Sequence, residues 1–180
     1  MSDHSISIVP RKSDYQNREI QAKNIVSWLL SRDIIKPVLS NCVLGPGKGY
    51  AISDGARLVT SFPDALPLGL VVNGLEIITE RQIFDTAENG IESLFCPNCK
   101  EDISGEDWSF LNEWADGKSD NLICPQCKQV SEIHNYSFTP DWGFSNIGFI
   151  FWNWPELTPE FIEEFKLKLG CEISVVYQHV

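Results

Sequence analysis

The sequence has no long apolar run. Its longest apolar stretch, around Ile147–Trp154, is far shorter than the roughly 20 residues that a membrane-spanning helix requires. Residues 1–4 lack the basic start and the apolar segment of a secretory signal. Hydrophobic residues still make up 43% of the 180 residues, which is enough for a packed core. We therefore expect a folded, cytoplasmic protein without a membrane segment.

Basic residues are also scarce. The chain has 14 Lys and Arg against 25 Asp and Glu, a net charge of −11. Residues 1–60 hold eight basic and five acidic side chains, a net of +3, whereas residues 61–180 carry a net of −14. Because nucleic-acid phosphates attract basic surfaces, the acidic part of the chain disfavours nucleic-acid binding.

Recognisable catalytic motifs are missing. None of the histidines, His4, His134 and His179, has a nucleophile or carboxylate at a diagnostic spacing, and no Gly-x-Ser-x-Gly sequence occurs. The glycine-rich segment 45–49 lacks the Gly-Lys-Ser/Thr ending of a phosphate-binding loop. We therefore expect no enzyme, although a catalytic pair assembled only in space stays open.

Cysteine occurs only six times, but four of the six form two matching motifs. These are Cys96-Pro97-Asn98-Cys99 and Cys124-Pro125-Gln126-Cys127. Each spacing lets one tight turn aim two sulfurs at one point, so the pair predicts a zinc ion held by Cys96, Cys99, Cys124 and Cys127. Iron could use the same four ligands. A disulfide pairing is disfavoured because nothing indicates export.

The predicted zinc site has a structural role. Four protein sulfurs complete a tetrahedral coordination sphere, whereas a catalytic zinc keeps one position for water or substrate. The remaining cysteines, Cys42 and Cys171, lie in apolar surroundings and are expected to be small core residues.

The paired motif resembles the zinc-ribbon family over residues 93–135. Ribbon motifs often read Cys-Pro-x-Cys-Gly, and here Lys100 and Lys128 stand where glycine is common. Many zinc ribbons bind nucleic acid, but residues 93–135 hold three lysines against eight acidic residues. The resemblance therefore implies a structural zinc ribbon, while this charge disfavours nucleic-acid binding through it.

The two ends of the chain have the clearest secondary-structure patterns. Apolar spacing predicts a strand at 5–9 followed by a helix at 17–32. A second strand is predicted at 146–152, then a helix that Thr158 caps and Gly170 ends, then a strand at 172–179. The two similar orders predict an α+β fold with a ferredoxin-like sheet, built from split β-α-β halves with both helices on one face.

The middle of the chain is harder to interpret. The sequence predicts a loop at 44–55, strands at 68–72 and 75–79 joined by Asn73-Gly74, and a short helix at 81–89. Residues 93–135 are expected to form a zinc ribbon inserted into a domain made of 1–92 and 136–180. Within the ribbon, a helix capped by Ser104 is expected to place Trp108 over the metal site.

Tryptophan and acidic side chains suggest what the protein binds. We expect a protein-interaction or inhibitor module, with a basic protein as one candidate partner. Core packing accounts for most of the aromatic residues, and the candidate interaction residues are Trp108, Phe110, Trp114, Trp152 and Trp154. Two alternatives stay open. One is a small enzyme with a pocket between sheet and ribbon, and the other is a nucleic-acid-associated regulator that uses Arg11, Lys12, Arg18 and Lys23.

Overall fold

The computed structural model describes residues 2–180 as helices, short strands and connecting loops. The helices are α1 (Arg18–Ser31), α2 (Asn112–Ala115) and α3 (Pro159–Leu169). The strands are β1 (His4–Pro10), β2 (Ile35–Ser40), β3 (Gly49–Ile52), β4 (Gly74–Ile78), β5 (Gln82–Phe84), β6 (Ser93–Phe95), β7 (Asn121–Ile123), β8 (Val130–Glu132), β9 (Ser137–Thr139), β10 (Gly143–Ser145), β11 (Gly148–Trp152) and β12 (Ile173–His179).

The main sheet has six strands in the order β12-β1-β11-β4-β3-β2. Every neighbouring pair in it is antiparallel. Helices and antiparallel strands together confirm the α+β class, while the ferredoxin-like assignment stays a prediction. Among the described residues, no helix has both the length and the apolar character needed to cross a membrane.

One face of the main sheet is covered by α1 and α3. Both helices bury apolar residues against the inward side chains of β1 and β11, which pack as one cluster. The rings of Phe149 and Phe165 lie 5.0 Å apart at this interface. The helical contacts come from Ala22, Ile25 and Leu29 of α1 and from Phe161, Phe165 and Leu169 of α3.

Helix α3 begins and ends where the sequence predicts. The Thr158 side chain accepts a hydrogen bond from the Phe161 amide at 3.2 Å, and Pro159 occupies the first helical position. Gly170 ends the helix with φ of 71°, a left-handed conformation that glycine adopts without a Cβ clash.

The opposite face of the main sheet is covered by a two-stranded sheet of β5 and β10. Phe84 of β5 packs there with Val9, Ile150, Trp152 and Val176. The contact is close enough that a Cβ added to Gly148 would overlap the Phe84 ring. Both faces of the central strands are therefore buried, which explains the continuous apolar sequence of β11.

Residues 93–135, called the ribbon below, contribute to two more strand pairs, β6 with β9 and β7 with β8. Its apolar core includes Leu94, Ile103, Leu122 and Ile133. It also draws on residues beyond the predicted limit at 135, because β9 pairs with β6 and because Phe138, Trp142 and Phe144 join the same cluster.

Three predictions for the middle of the chain were wrong. Residues 68–72 form turns rather than a strand, because the amides of Asn73 and Gly74 both donate to the Cys42 carbonyl. Residues 82–84 are strand β5 rather than a helix. Residues 49–52, inside the predicted glycine loop, form β3 because they pair with both β2 and β4.

Candidate metal centre

The four motif cysteines lie on two turns with nearly the same backbone. Cys96 follows β6 and Cys124 follows β7. The Cys96 carbonyl accepts from the Lys100 amide at 3.1 Å, and the Cys124 carbonyl accepts from the Lys128 amide at 3.0 Å. The two short sequences therefore fold as copies of one turn.

The lysine after each motif takes a left-handed backbone. Lys100 and Lys128 both have φ of 62°. Side chains make this conformation costly by roughly 1–2 kcal/mol, which is why glycine suits the position. Each lysine therefore accepts backbone strain at the end of its turn.

The sulfur atoms form a compact cage. All four Sγ atoms lie within 4.8 Å of one another. The Cys96 and Cys127 sulfurs are 3.8 Å apart, and those of Cys99 and Cys124 are 3.9 Å apart. A tetrahedron with Zn–S bonds of about 2.3 Å has edges of about 3.8 Å, so the thiols fit a zinc-sized ion.

Backbone amides point toward the sulfurs. The Asn98 amide lies 3.4 Å from the Cys96 sulfur, and the Gln126 amide lies 3.4 Å from the Cys124 sulfur. Burial alone would raise the pKa of Cys96, but amides of the turn lower it to about 7. The Glu101 amide lowers the pKa of Cys99, but burial and hydrogen bonds to neighbouring thiols outweigh it and raise that pKa to about 11. A bound cation would favour the ionised form of all four thiols.

Apolar side chains surround the cage on its inner side. Cys96 and Cys124 are fully buried, whereas Cys99 and Cys127 are partly exposed. The buried Tyr136 donates its hydroxyl to the Leu122 carbonyl. Burial, and then the nearby thiolates, raise the pKa of Tyr136. Its hydroxyl therefore stays neutral beside the four cysteines.

The ribbon is fastened to the main sheet by polar contacts. The Trp114 indole N–H donates to the Ser13 hydroxyl at 2.8 Å. The Arg81 side chain donates to the Trp114 carbonyl at 2.6 Å and lies 2.9 Å from the Asp120 carboxylate. Arg11 donates to the His134 carbonyl at 2.6 Å. The metal cage is therefore held at one place relative to the sheet.

No family model, curated protein or solved structure matches this chain. The arrangement of its own side chains therefore carries the functional argument.

The predicted aromatic interaction surface needs correction. Trp114 and Trp154 are fully buried and Trp152 is 6% exposed, so these residues cannot form a surface patch. They are buried because the indole N–H groups find internal acceptors, such as Glu76 for Trp152. Only Trp108 is exposed, and Phe110 is half-buried.

The expected ribbon helix is also different in detail. Residues 108–111 form a 3₁₀ turn that leads into α2, and Asp107 rather than Ser104 caps it. Trp108 packs edge-on against Trp142, with ring centres 5.6 Å apart. Trp114 and Trp142, rather than Trp108, are the tryptophans buried in this core.

A different apolar surface lies on the connection between β3 and β4. Exposed apolar side chains concentrate there, at Leu58, Phe62, Leu68, Leu70 and Val71. Phe62 is 62% exposed and Val71 is 80% exposed. The apolar residues around Pro63 and Pro67 were the sequence signal for this surface. Such a run is as typical of two strands as of an exposed loop.

The polar residues proposed for an enzyme pocket and for nucleic-acid binding mostly bond to other groups of the chain. The crevice between sheet and ribbon is about 320 Å³ and contains Asp14, Arg18, Arg81 and Asp120. Arg81 pairs with Asp120, and Asp14 accepts from Asn146. Of the basic residues considered for nucleic-acid binding, Arg11 and Arg18 donate to backbone carbonyls. The enzyme and nucleic-acid hypotheses stay predictions.

Proposed function

We propose that this chain is a cytoplasmic zinc protein in which a zinc ribbon at residues 93–135 stiffens a domain that binds another protein. The observation that carries the metal part of the proposal is the four-thiol cage with tetrahedral spacing. With four sulfur ligands the ion has no position for a substrate, so the metal contributes stability rather than chemistry. Structural zinc in small motifs supplies on the order of 10 kcal/mol of apparent binding free energy.

The sheet supports a related proposal about the fold. Strands β11 and β12 are joined through α3 and lie on either side of β1. Strands β1 and β4 lie on either side of β11, with α1, β2 and β3 between them in the chain. We infer an extended ferredoxin-like sheet, in which β3 and β2 are added at one edge and the ribbon is an insertion.

The apolar loop between β3 and β4 is the surface that we propose for the protein partner. Exposed apolar patches on water-soluble domains mark interaction sites. The net charge of −14 over residues 61–180 favours a basic partner, which fits an inhibitor module.

Elemental analysis and chelation test the metal assignment. We expect one zinc per chain, loss of zinc in Cys124→Ser and retention of zinc in Cys42→Ser, which removes a thiol outside the cage. A strong chelator should remove zinc and abolish amide-exchange protection in residues 93–139 first. Iron in place of zinc, or an unchanged melting transition after chelation, would contradict the proposal.

Affinity purification tests the binding role. The zinc-loaded protein is compared with a Phe62→Ser, Val71→Ser double variant that keeps its zinc and its melting temperature. A stoichiometric basic protein that the variant fails to retain supports the proposal. If both forms retain the same proteins, or none, the loop is not the docking surface.

A further inference from the structure

A cleft runs along the part of the main sheet that the helices leave uncovered. It has a volume of about 530 Å³ and lies between α1 and the strands β2, β3 and β4. Binding sites for small molecules have volumes of roughly 300–1,000 Å³, so the cleft is large enough for one.

The floor and one wall of the cleft are apolar. Leu39, Tyr50 and Ile77 come from three neighbouring strands and point to the same face of the sheet as the buried Leu75. Val26 of α1 borders the opposite side. Together these side chains offer a surface for the flat or branched body of an organic molecule.

The helix and the strands that form the cleft are held in position by contacts that do not involve a ligand. On the helix side, Ile25 and Leu29 of α1 are buried against the sheet. At one end, the Arg18 guanidinium donates to the Thr79 carbonyl at 2.7 Å and ties the start of α1 to the end of β4. A ligand would therefore enter a preformed site and would order few residues on binding.

Two cationic side chains border this apolar surface. Lys23 of α1 and Lys48 of the loop before β3 line the cleft, and no acidic residue lines it. Within residues 2–180 neither lysine forms an ion pair, whereas Lys118 and Lys166 do. Both lysines are exposed, in a chain whose net charge is −11.

We propose that the cleft binds a small organic anion with an apolar body, such as an aromatic carboxylate. The lysines attract the anionic group, while Val26, Leu39, Tyr50 and Ile77 contact the body. Ser27, Tyr50 and Thr79 add hydroxyl groups at the border that can hydrogen-bond to polar substituents. The site is separate from the metal cage and does not depend on the protein partner proposed above.

The test uses 2-naphthoate, and its neutral counterpart 2-naphthamide, on the zinc-loaded full chain. Amide chemical shifts are followed by NMR as each probe is added. We expect saturable shifts confined to residues 22–27, 39–50 and 77–79 with 2-naphthoate, and binding of 2-naphthamide about tenfold weaker. Added salt should weaken the binding of the anion only.

Variants separate a specific site from general attraction. Lys23→Gln and Lys48→Gln should each weaken 2-naphthoate binding several-fold, and Val26→Trp should abolish it by filling the cleft. Lys36→Gln is the matched control, because Lys36 is exposed on β2 but does not line the cleft. Melting temperatures confirm that each variant is folded.

Four outcomes would overturn the proposal. These are no saturable shift with 2-naphthoate, equal affinity for the amide, equal effects of Lys36→Gln and Lys23→Gln, or tighter binding of a short single-stranded oligonucleotide at the same residues. The last outcome would instead identify the cleft as a nucleic-acid contact.

Discussion

The guanidinium carbon of Arg81 lies 3.9 Å from the centre of the Trp114 ring. The same side chain donates to the carbonyls of Trp114 and Ser119 and pairs with Asp120. One residue just after β4 thus satisfies three groups of the ribbon. This contact adds to the hydrogen bond between Trp114 and Ser13 in fixing the orientation of the ribbon, because α2 has only four residues and cannot fix Trp114 alone.

Replacing Arg81 should loosen the ribbon. We expect Arg81→Gln to lower the free energy of unfolding by about 2 kcal/mol, since hydrogen bonds to a charged group contribute about 1.5–3 kcal/mol. Arg81→Lys should recover less than half of the loss, because an ammonium cannot make the forked contacts. Urea unfolding gives the values. An unchanged midpoint for Arg81→Gln would show that the contact is not structural.

Relieving the backbone strain at the second cysteine turn should stabilise the protein. Lys128 has φ of 62°, so Lys128→Gly is expected to raise the stability of the zinc-loaded form by about 0.5–1 kcal/mol. Lys128→Val should lower it, because a β-branched residue tolerates this conformation poorly. Thermal unfolding of the zinc-loaded proteins ranks the three residues. If glycine ranked below lysine, the Lys128 contact to the Pro125 carbonyl would outweigh the strain.

A methyl group at Gly148 should disturb the packing between the two sheets. Gly148→Ala would place its Cβ within the Phe84 ring, and overpacking of this kind costs about 1–3 kcal/mol. A double-mutant cycle with Phe84→Leu measures the coupling. We expect the alanine to cost less beside leucine than beside phenylalanine. Additive effects would mean that the backbone shifts away instead of the ring being compressed.

The hydroxyl of Tyr177 should ionise at a higher pH than that of an ordinary tyrosine. Burial, and then its hydrogen bond to the Glu156 carboxylate, raise the pKa of Tyr177 to about 12. Because the neutral phenol is favoured in the folded protein, its stability contribution is complete below pH 10.0 and is lost as the pH rises through about 12.

Tyrosine absorbance at high pH measures this ionisation. The step near pH 12 should be missing in Tyr177→Phe and should move to lower pH in Glu156→Gln, which removes the negative charge. A step at the same pH in Glu156→Gln would leave burial as the sole cause of the shift.

The clustering of the four cysteines was predictable because it depends on residues that are close in the sequence. Each pair of cysteines lies within one turn, and the same spacing occurs twice, so Cys96, Cys99, Cys124 and Cys127 could be assigned together. Helix α3 was predictable for a similar reason, since Thr158 marks its start and the helix ends within a dozen residues.

The burial of the tryptophans was not predictable from the sequence. Trp114 is buried because its indole donates to Ser13, which lies 101 residues earlier in the chain. Trp152 depends in the same way on Glu76. Strand β5 was missed because local propensity does not make residues 82–84 extended. They are extended because β5 pairs with β10 and Phe84 packs on the main sheet.

Strand β1 has consequences for how the chain folds during synthesis. Its two neighbours in the sheet, β11 and β12, both come from residues 148–179. Contacts between such distant residues form slowly, and until they form β1 and the apolar side of α1 stay uncovered. The two cysteine turns lie within residues 96–127, so they close a much shorter segment and can form while the later strands are still being made. The time needed to make residues 148–179 therefore sets how long the growing chain exposes surfaces that favour aggregation.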